Sequence, residues 1–242
     1  MKNRIGILAH SGEGAALCFL ECLHEGENRL GPHIHPDIVM DIEPMGPVLG
    51  DWERRNYPPI VALFRRQAAR LKDAGTAFWI CPDNTAHIAF EAMTEPLPLA
   101  GLHIAEIVAE QAVTRGFRKI GITGTRWTME GAVYPGAFAR RGLQFAIPPE
   151  DDKAAIQAMI FDELVRGIVT GASRACLARA VEGLKGQGCD AVVLGCTELP
   201  MLLNDENSPL PPLDSTRLLA SAAVDVALGS RPLPVWRGGP LR

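Results

Sequence analysis

The chain has 242 residues, 47% of them hydrophobic and 21% charged, with a formal net charge of -4. These shares are those of a folded globular protein, and the length allows one large domain or two small ones. The acidic balance argues against a nucleic-acid partner, which calls for a basic face or a high pI. No stretch reaches the ~18 uninterrupted apolar residues of a spanning helix, so no membrane partner is expected.

The first apolar run, 5–9, is too short for a signal-peptide core and runs straight into His10, Ser11 and Gly12. The cytoplasm is therefore the expected compartment. Further short runs rich in Ile, Val, Leu and Phe follow at 38–42, 77–81, 120–123, 143–147 and 191–195. Longer segments with helical spacing lie between several of them. Ile60, Val61, Leu63, Phe64, Ala68 and Leu71 make one helical face, and Ile104, Ile107, Val108 and Val113 another. Strand runs alternating with helices read as βαβ units around a parallel sheet, whose strands are buried on both faces and so are continuously apolar. The six cysteines, Cys18, Cys22, Cys81, Cys176, Cys189 and Cys196, fall in helical stretches or at strand ends and read as thiols rather than disulfide staples. The tail from Ser230, rich in Pro, Gly and Arg, reads as a terminal extension.

The chain carries an internal repeat. Arg4-Ile5-Gly6-Ile7 recurs 115 positions later as Lys119-Ile120-Gly121-Ile122, and each copy runs into a loop of small residues. The stretch from Ala74 to Thr85 overlays the stretch from Gln187 to Glu198 at an offset of 113. Two matched pairs at nearly one offset indicate a duplicated half of about 115 residues, too long for a solenoid unit. The overlay sets Asp83 opposite Cys196, Asn84 opposite Thr197 and Thr85 opposite Glu198. In α/β sheets ligands bind beyond the carboxyl ends of the strands, so these strand-end loops are the candidate site.

At these loops the chain resembles the aspartate/glutamate racemase family, with its hydantoin racemase, maleate isomerase and arylmalonate decarboxylase relatives. The resemblance runs from about Ile5 to Leu228 and rests on five motifs in order. They are Ile5-Gly6-Ile7-Leu8, Asp83-Asn84-Thr85-Ala86-His87, Gly124-Thr125-Arg126-Trp127-Thr128, Asp162-Glu163-Leu164-Val165-Arg166-Gly167 and Gly195-Cys196-Thr197-Glu198-Leu199-Pro200. It implies two α/β three-layer domains with parallel sheets, related by a pseudo-twofold axis, with the active site in the crevice between them. It also implies a domain made of 1–98 with 213–242, a second made of 99–212, and a homodimer. The implied enzyme uses neither pyridoxal phosphate nor metal: one cysteine removes the α-proton and a second returns one to the opposite face.

The chain departs from the family where the first cysteine belongs, because Asp83 stands there while Cys196 is intact. Three accounts stay open. Asp83 replaces the thiol as acid/base, Cys81 takes over from two residues earlier, or one thiol works alone; Asp83 is favoured. Its bland alternative is a residue that turns the chain or caps a helix, and that of Cys196 is a small buried hydrophobe. Asn84, Thr85 and Thr197 are candidate donors to a substrate carboxylate, with Glu198 beside them. Ser11 and Gly12 precede a helix whose N-terminus suits an anion, and Thr125 and Thr128 occupy the equivalent loop in the second half. For these, ordinary turn and cap chemistry is the competing reading. Arg166 matches a family position that faces the substrate's distal carboxylate, with a solvated helix end as its alternative; Arg54 and Arg55 are weaker candidates. His87 reads as a structural residue of the loop. His24, His33 and His35 fall short of a zinc set. Trp52 and Trp127 are candidates for shaping the pocket.

The function expected from these residues is racemisation or epimerisation of an acidic amino acid. The alternatives are a single-thiol isomerase or decarboxylase of a dicarboxylic acid, and a non-catalytic binder of a small carboxylate.

Overall fold

The computed structural model describes residues 3–241. They form two compact units, one running up to Ile104 and resuming at Thr216, the other spanning Ala105–Ser215. In the first unit β1 (Ile5–Ala9) leads into α1 (Gly12–Leu30), β2 (Ile38–Ile42), the short α2 (Leu49–Glu53), α3 (Tyr57–Asp73), β3 (Phe78–Ile80) and α4 (Ala86–Glu91). The second unit begins with α5 (Ile104–Thr114) and continues through β4 (Lys119–Gly124), α6 (Arg126–Glu130), α7 (Val133–Ala139), β5 (Gln144–Ala146), α8 (Glu150–Asp162), α9 (Gly171–Gly186), β6 (Ala191–Gly195) and β7 (Pro212–Asp214). The last helix, α10 (Ser215–Leu228), returns to the first unit.

Both sheets are parallel throughout. The first has the order β2-β1-β3 and the second β5-β4-β6-β7. The two copies of the Ile-Gly-Ile motif thus occupy equivalent inner strands, β1 and β4, and the strands beside them follow one plan in both units. All five residues of β1 and all five of β6 are buried, as strands covered on both faces must be.

Helices cover these sheets for reasons legible in the chain. α3 opens on Pro58 and Pro59, which preset the helical φ where backbone N–H groups have no intrahelical partner anyway. Its buried residues, Ile60, Leu63, Phe64, Gln67, Ala68 and Leu71, recur at three- and four-residue spacing. Gln67 is the polar member of that stripe, and its Nε2 donates to the carbonyls of Ala9 and Asp41, joining the carboxyl ends of β1 and β2. α10 lies along α1, where Arg217 Nε meets Glu21 at 3.1 Å and the Cys22 thiol points at the Ala220 carbonyl. All six cysteines are free.

The structure departs from the sequence reading at three places. Val113 is 48% exposed and lies off the buried face of α5. β7 was not anticipated: it is three residues long and begins on a proline, which a sheet accepts at its edge. The tail is no loose extension. The Trp236 carbonyl accepts from Gly101 N, the Arg237 carbonyl from Leu97 N, and Gly239 N donates to the Phe90 carbonyl. The Trp236 indole joins a cluster with Trp79, His87, Phe90 and His103, at centroid distances of 4.7 to 6.1 Å.

Trp79, wholly buried, anchors that cluster through an Nε1–H bond to the Leu99 carbonyl. A Cβ at Gly101 would stand 2.3 Å from its ring. Gly101→Ala is expected to lower stability by about 1–3 kcal/mol, the usual cost of overpacking a filled core. A urea midpoint that falls with an unchanged slope would bear this out, and an unchanged midpoint would show that the tail packs loosely on Trp79.

Candidate functional site

The chemistry-bearing side chains follow the carboxyl ends of inner strands. In the first unit the β1–β3 register pairs Ile5 with Phe78 and Ile7 with Ile80, and carried past the strand ends it sets His10 level with Asp83. Asp83 is half-buried and turns the next helix: its Oδ1 accepts from Ala86 N at 3.1 Å. Its carbonyl oxygen is held at 2.9 Å by His87 Nδ1. The ring proton of His87 must sit on Nδ1, because Ile104 N–H donates to Nε2 at 3.1 Å. Burial, followed by the neighbouring His103, pushes the His87 pKa down to about 3, so the ring is neutral. His103, also buried, meets Glu91 at 3.1 Å.

The surrounding residues divide by how their polar groups are spent. Asn84 is buried and its carbonyl accepts from His87 N. Thr85 occupies the N-cap position of α4. Ser11 caps α1 with extended backbone and no side-chain bond to the helix, which leaves its hydroxyl for other use. Gly12 is the first residue of α1, and a Cβ there would meet only Ile42, at 3.9 Å. Cys81 is fully buried, and burial followed by the Asp83 charge pushes its thiol pKa far up, the wrong direction for a proton acceptor.

In the second unit β4 and β6 run side by side to their ends, with Gly124 paired to Gly195, so Thr125 and Cys196 leave the sheet together. Neither glycine tolerates a side chain: a Cβ on Gly124, at φ 155°, would come within 2.8 Å of the Gly195 carbonyl. The Cys196 thiol donates to Glu198 Oε2 at 2.8 Å, forming a thiol–carboxylate pair within one turn of chain. Thr197, between them, is half-buried. Thr125 and Thr128 are buried and bonded to each other, Thr125 Oγ1 accepting from Thr128 N at 3.3 Å, which is the capping use of these residues. Arg166 closes a single 3-10 turn, Leu164–Arg166, and is exposed. Its guanidinium meets no carboxylate among the described residues, whereas Arg54 is paired with Asp51.

Sequence reasoning passed over His10 and gave Trp52 only a general part. His10 is 5% exposed, and its Nε2 accepts from the Trp52 indole N–H at 2.9 Å. The signal was the repeat itself: the offset of 115 sets His10 opposite Thr125, which was selected. Trp127 is half-buried against Phe161. His24, His33 and His35 do not gather with other ligand-type side chains, since no group of three or more His, Cys, Asp or Glu among the described residues is placed to hold an ion. No helix of the described residues is long and apolar enough to cross a membrane.

Comparison with known proteins gives one consistent outcome. The family described as Asp/Glu/Hydantoin racemase matches residues 15–223. The chain is similar to the broad specificity amino-acid racemase RacX of Bacillus subtilis, with 26% identity over 161 residues, or 66% of this chain and 69% of that protein. It is 27% identical over 142 residues to the glutamate racemase of Pseudomonas entomophila, a match spanning 57% of this chain but only 51% of the relative. Among solved structures it resembles a Yersinia pestis protein of the Asp/Glu racemase type, with a TM-score of 0.84 and 30% identity over 94% of this chain and 100% of that one.

The neutral His87 makes stability depend on pH. An imidazole titrating near 6.5 when unfolded and about 3 when folded favours the folded state fully above pH ~6.5. That contribution is lost as pH falls from ~6.5 toward about 3, at up to ~1.4 kcal/mol per unit. Urea midpoints at pH 7 and pH 5 should therefore differ more in the wild type than in His87→Gln, whose amide cannot be protonated. Equal acid sensitivity in the two would show that other groups govern it.

Proposed function

The chain belongs to the Asp/Glu/hydantoin racemase family, and on that premise we propose that it is a racemase or epimerase of an acidic amino acid, aspartate, glutamate or a close analogue, that exchanges the α-proton without a cofactor. The observation that carries this reading is the Cys196–Glu198 pair, a thiol at a strand end with a carboxylate already accepting from it. Asp83 holds the equivalent strand end in the duplicated half.

Inversion requires two groups acting on opposite faces of one α-carbon. At neutral pH an ordinary carboxylate accepts a proton and an ordinary thiol donates one. Asp83 is thus the base that takes the α-proton and becomes the acid form. Cys196 is the acid that delivers its S–H proton to the other face and becomes thiolate. The thiolate then lies beside the Glu198 carboxylate, and that like-charge contact favours its reprotonation. In the reverse direction the roles exchange: Cys196 enters as the thiolate and takes the α-proton, and Asp83 enters protonated and delivers its proton to the other face. Ser11, Gly12, Asn84, Thr85 and Thr197 supply donors for the substrate's α-carboxylate, where negative charge builds as the proton leaves. The α1 N-terminus adds N–H groups to the same end. Arg166, exposed and without a carboxylate partner among the described residues, is the cation for the distal carboxylate. Thr125 and Thr128, bonded to each other, act by shaping the loop beside Cys196. We place the enzyme in the cytoplasm as a homodimer, working without pyridoxal phosphate or metal.

One observation favours a second reading. Asp83 already turns its helix through Oδ1, a sufficient structural use for the residue, and the thiol–carboxylate pair in the second unit needs nothing from it. A single-thiol isomerase or decarboxylase of a dicarboxylic acid would then result. The deciding experiment follows α-hydrogen exchange in deuterated water and optical rotation together, starting from each enantiomer of aspartate and glutamate. Exchange with inversion supports the racemase, and exchange without inversion supports one working base. Ligand-induced stabilisation with no exchange would mark a binding protein.

Cys196→Ser is expected to keep the fold and lose about 10²–10⁴-fold in turnover. Wild-type rates in that variant on the true substrate would remove every mechanism above. Unequal partners also make the two directions unequal in maximal rate. Asp83→Cys should bring the two closer together, while Asp83→Asn should stop inversion; an Asp83→Asn enzyme that racemises normally would transfer the work to Cys196 and Glu198.

A further inference from the structure

We propose that His10 is a positioning residue for Asp83: pinned by Trp52 in the Nδ1–H tautomer, its imidazole presents the N–H that holds the Asp83 carboxylate in its proton-accepting direction. This rests on the reading of Asp83 as the proton-transfer group of the first unit. Three observations lead to it.

The first is register. Carried three residues past its last pair, Ile7 with Ile80, the β1–β3 register sets His10 level with Asp83 beyond adjacent strand ends. The second is the tautomer. An indole N–H only donates, so His10 Nε2, at 2.9 Å from Trp52 Nε1, must be unprotonated, and the proton of the neutral ring sits on Nδ1. The third is the packing that fixes the ring plane. His10 is buried edge-on to Phe64 at 5.2 Å and tilted on Trp52 at 5.4 Å, and Trp52 is backed by Tyr57 at 6.1 Å.

The electrostatics agree. Burial lowers the His10 pKa, and the Asp83 charge opposes that shift; Asp83 is the charged group whose field reaches the ring. Protonation would also set two donors, the imidazolium and the Trp52 indole, against each other, so the pair favours the neutral ring. Asp83 has Oδ1 engaged by Ala86 N, so Oδ2 is the oxygen left for both the His10 N–H and the substrate proton. In the free protein His10 and Asp83 sense each other without a direct hydrogen bond among the described contacts. Catalytic hydrogen bonds often close only in the substrate complex. The repeat supplies the counterpart: Thr125 stands to Cys196 in the β4–β6 register as His10 stands to Asp83.

The test begins with imidazole ¹⁵N shifts, which read tautomer and titration with no substrate present. His10 is expected as the Nδ1–H form. Asp83→Asn should lower its pKa by removing the carboxylate charge, and Trp52→Phe should raise it by freeing Nε2. An Nε2–H tautomer, or a His10 titration indifferent to Asp83→Asn, overturns the proposal. In turnover, His10→Phe should lower kcat by up to about 10²-fold, the scale of a misplaced reacting group, with little change in KM. His10→Asn, whose amide N–H falls near the Nδ1 position, should restore most of it. Unchanged kcat in His10→Phe reduces the ring to packing. A titration coupled to Asp83 in a protein that exchanges no α-hydrogen from any acidic amino acid upholds the pairing and overturns the racemase reading instead.

Discussion

Parallel pairing of β1 with β3, and of β4 with β6, brings the loops that carry Asp83 and Cys196 to the carboxyl ends of their sheets. A parallel ladder fixes both strands in one direction, so both release their chains at the same end. Once Ile7 is opposite Ile80, the chain segments that carry His10 and Asp83 leave the sheet at one end; once Gly124 is opposite Gly195, Thr125 and Cys196 emerge together. The helices serve this arrangement. Gln67 of α3 ties the ends of β1 and β2, and the turns into α4 and α6 hold the loops through backbone N–H groups.

How much of this the chain discloses depends on how repetitive the physics is. Doubly covered strands must be apolar without interruption, so β1 and β6 stand out as runs, while β2, at the sheet edge and partly exposed, is read from its Ile and Val alone. β7 has three residues, and its opening proline belongs equally to a turn. Val113 fits a helical period yet faces outward, because spacing identifies a stripe but not its edge. The tail composition reads as a terminal extension; what holds it against the first unit is Trp236 and three backbone bonds, features with no periodicity to read. At the site, the loops could be found because strand ends and a duplicated motif both point there. The Trp52–His10 bond could not, since 42 residues separate its partners.

The Asp83 loop shows how a surface-like residue is made rigid. Its carboxylate bonds forward to Ala86, its carbonyl is held by His87, and His87 in turn receives Ile104 N–H. Each bond fixes a donor or acceptor that would otherwise be buried without a partner. The neutral imidazole suits this place because it donates from one edge and accepts at the other, which no hydroxyl does along a line of that length. The Cys196 loop is simpler, with its thiol–carboxylate pair two residues apart.

The strap formed by Trp236, Arg237 and Gly239 gives the chain an unusual order of assembly. It closes over Trp79, Phe90 and His87, so the unit that opens with β1 is finished only by residues synthesised after the whole of the second unit. The unit spanning Ala105–Ser215 is continuous and depends on no distant segment for its sheet. On a ribosome, where domains ordinarily complete themselves from the N-terminus onward, this protein must leave its first half open while its second half closes. An imperfect or prematurely ended chain therefore never completes the shell around His87.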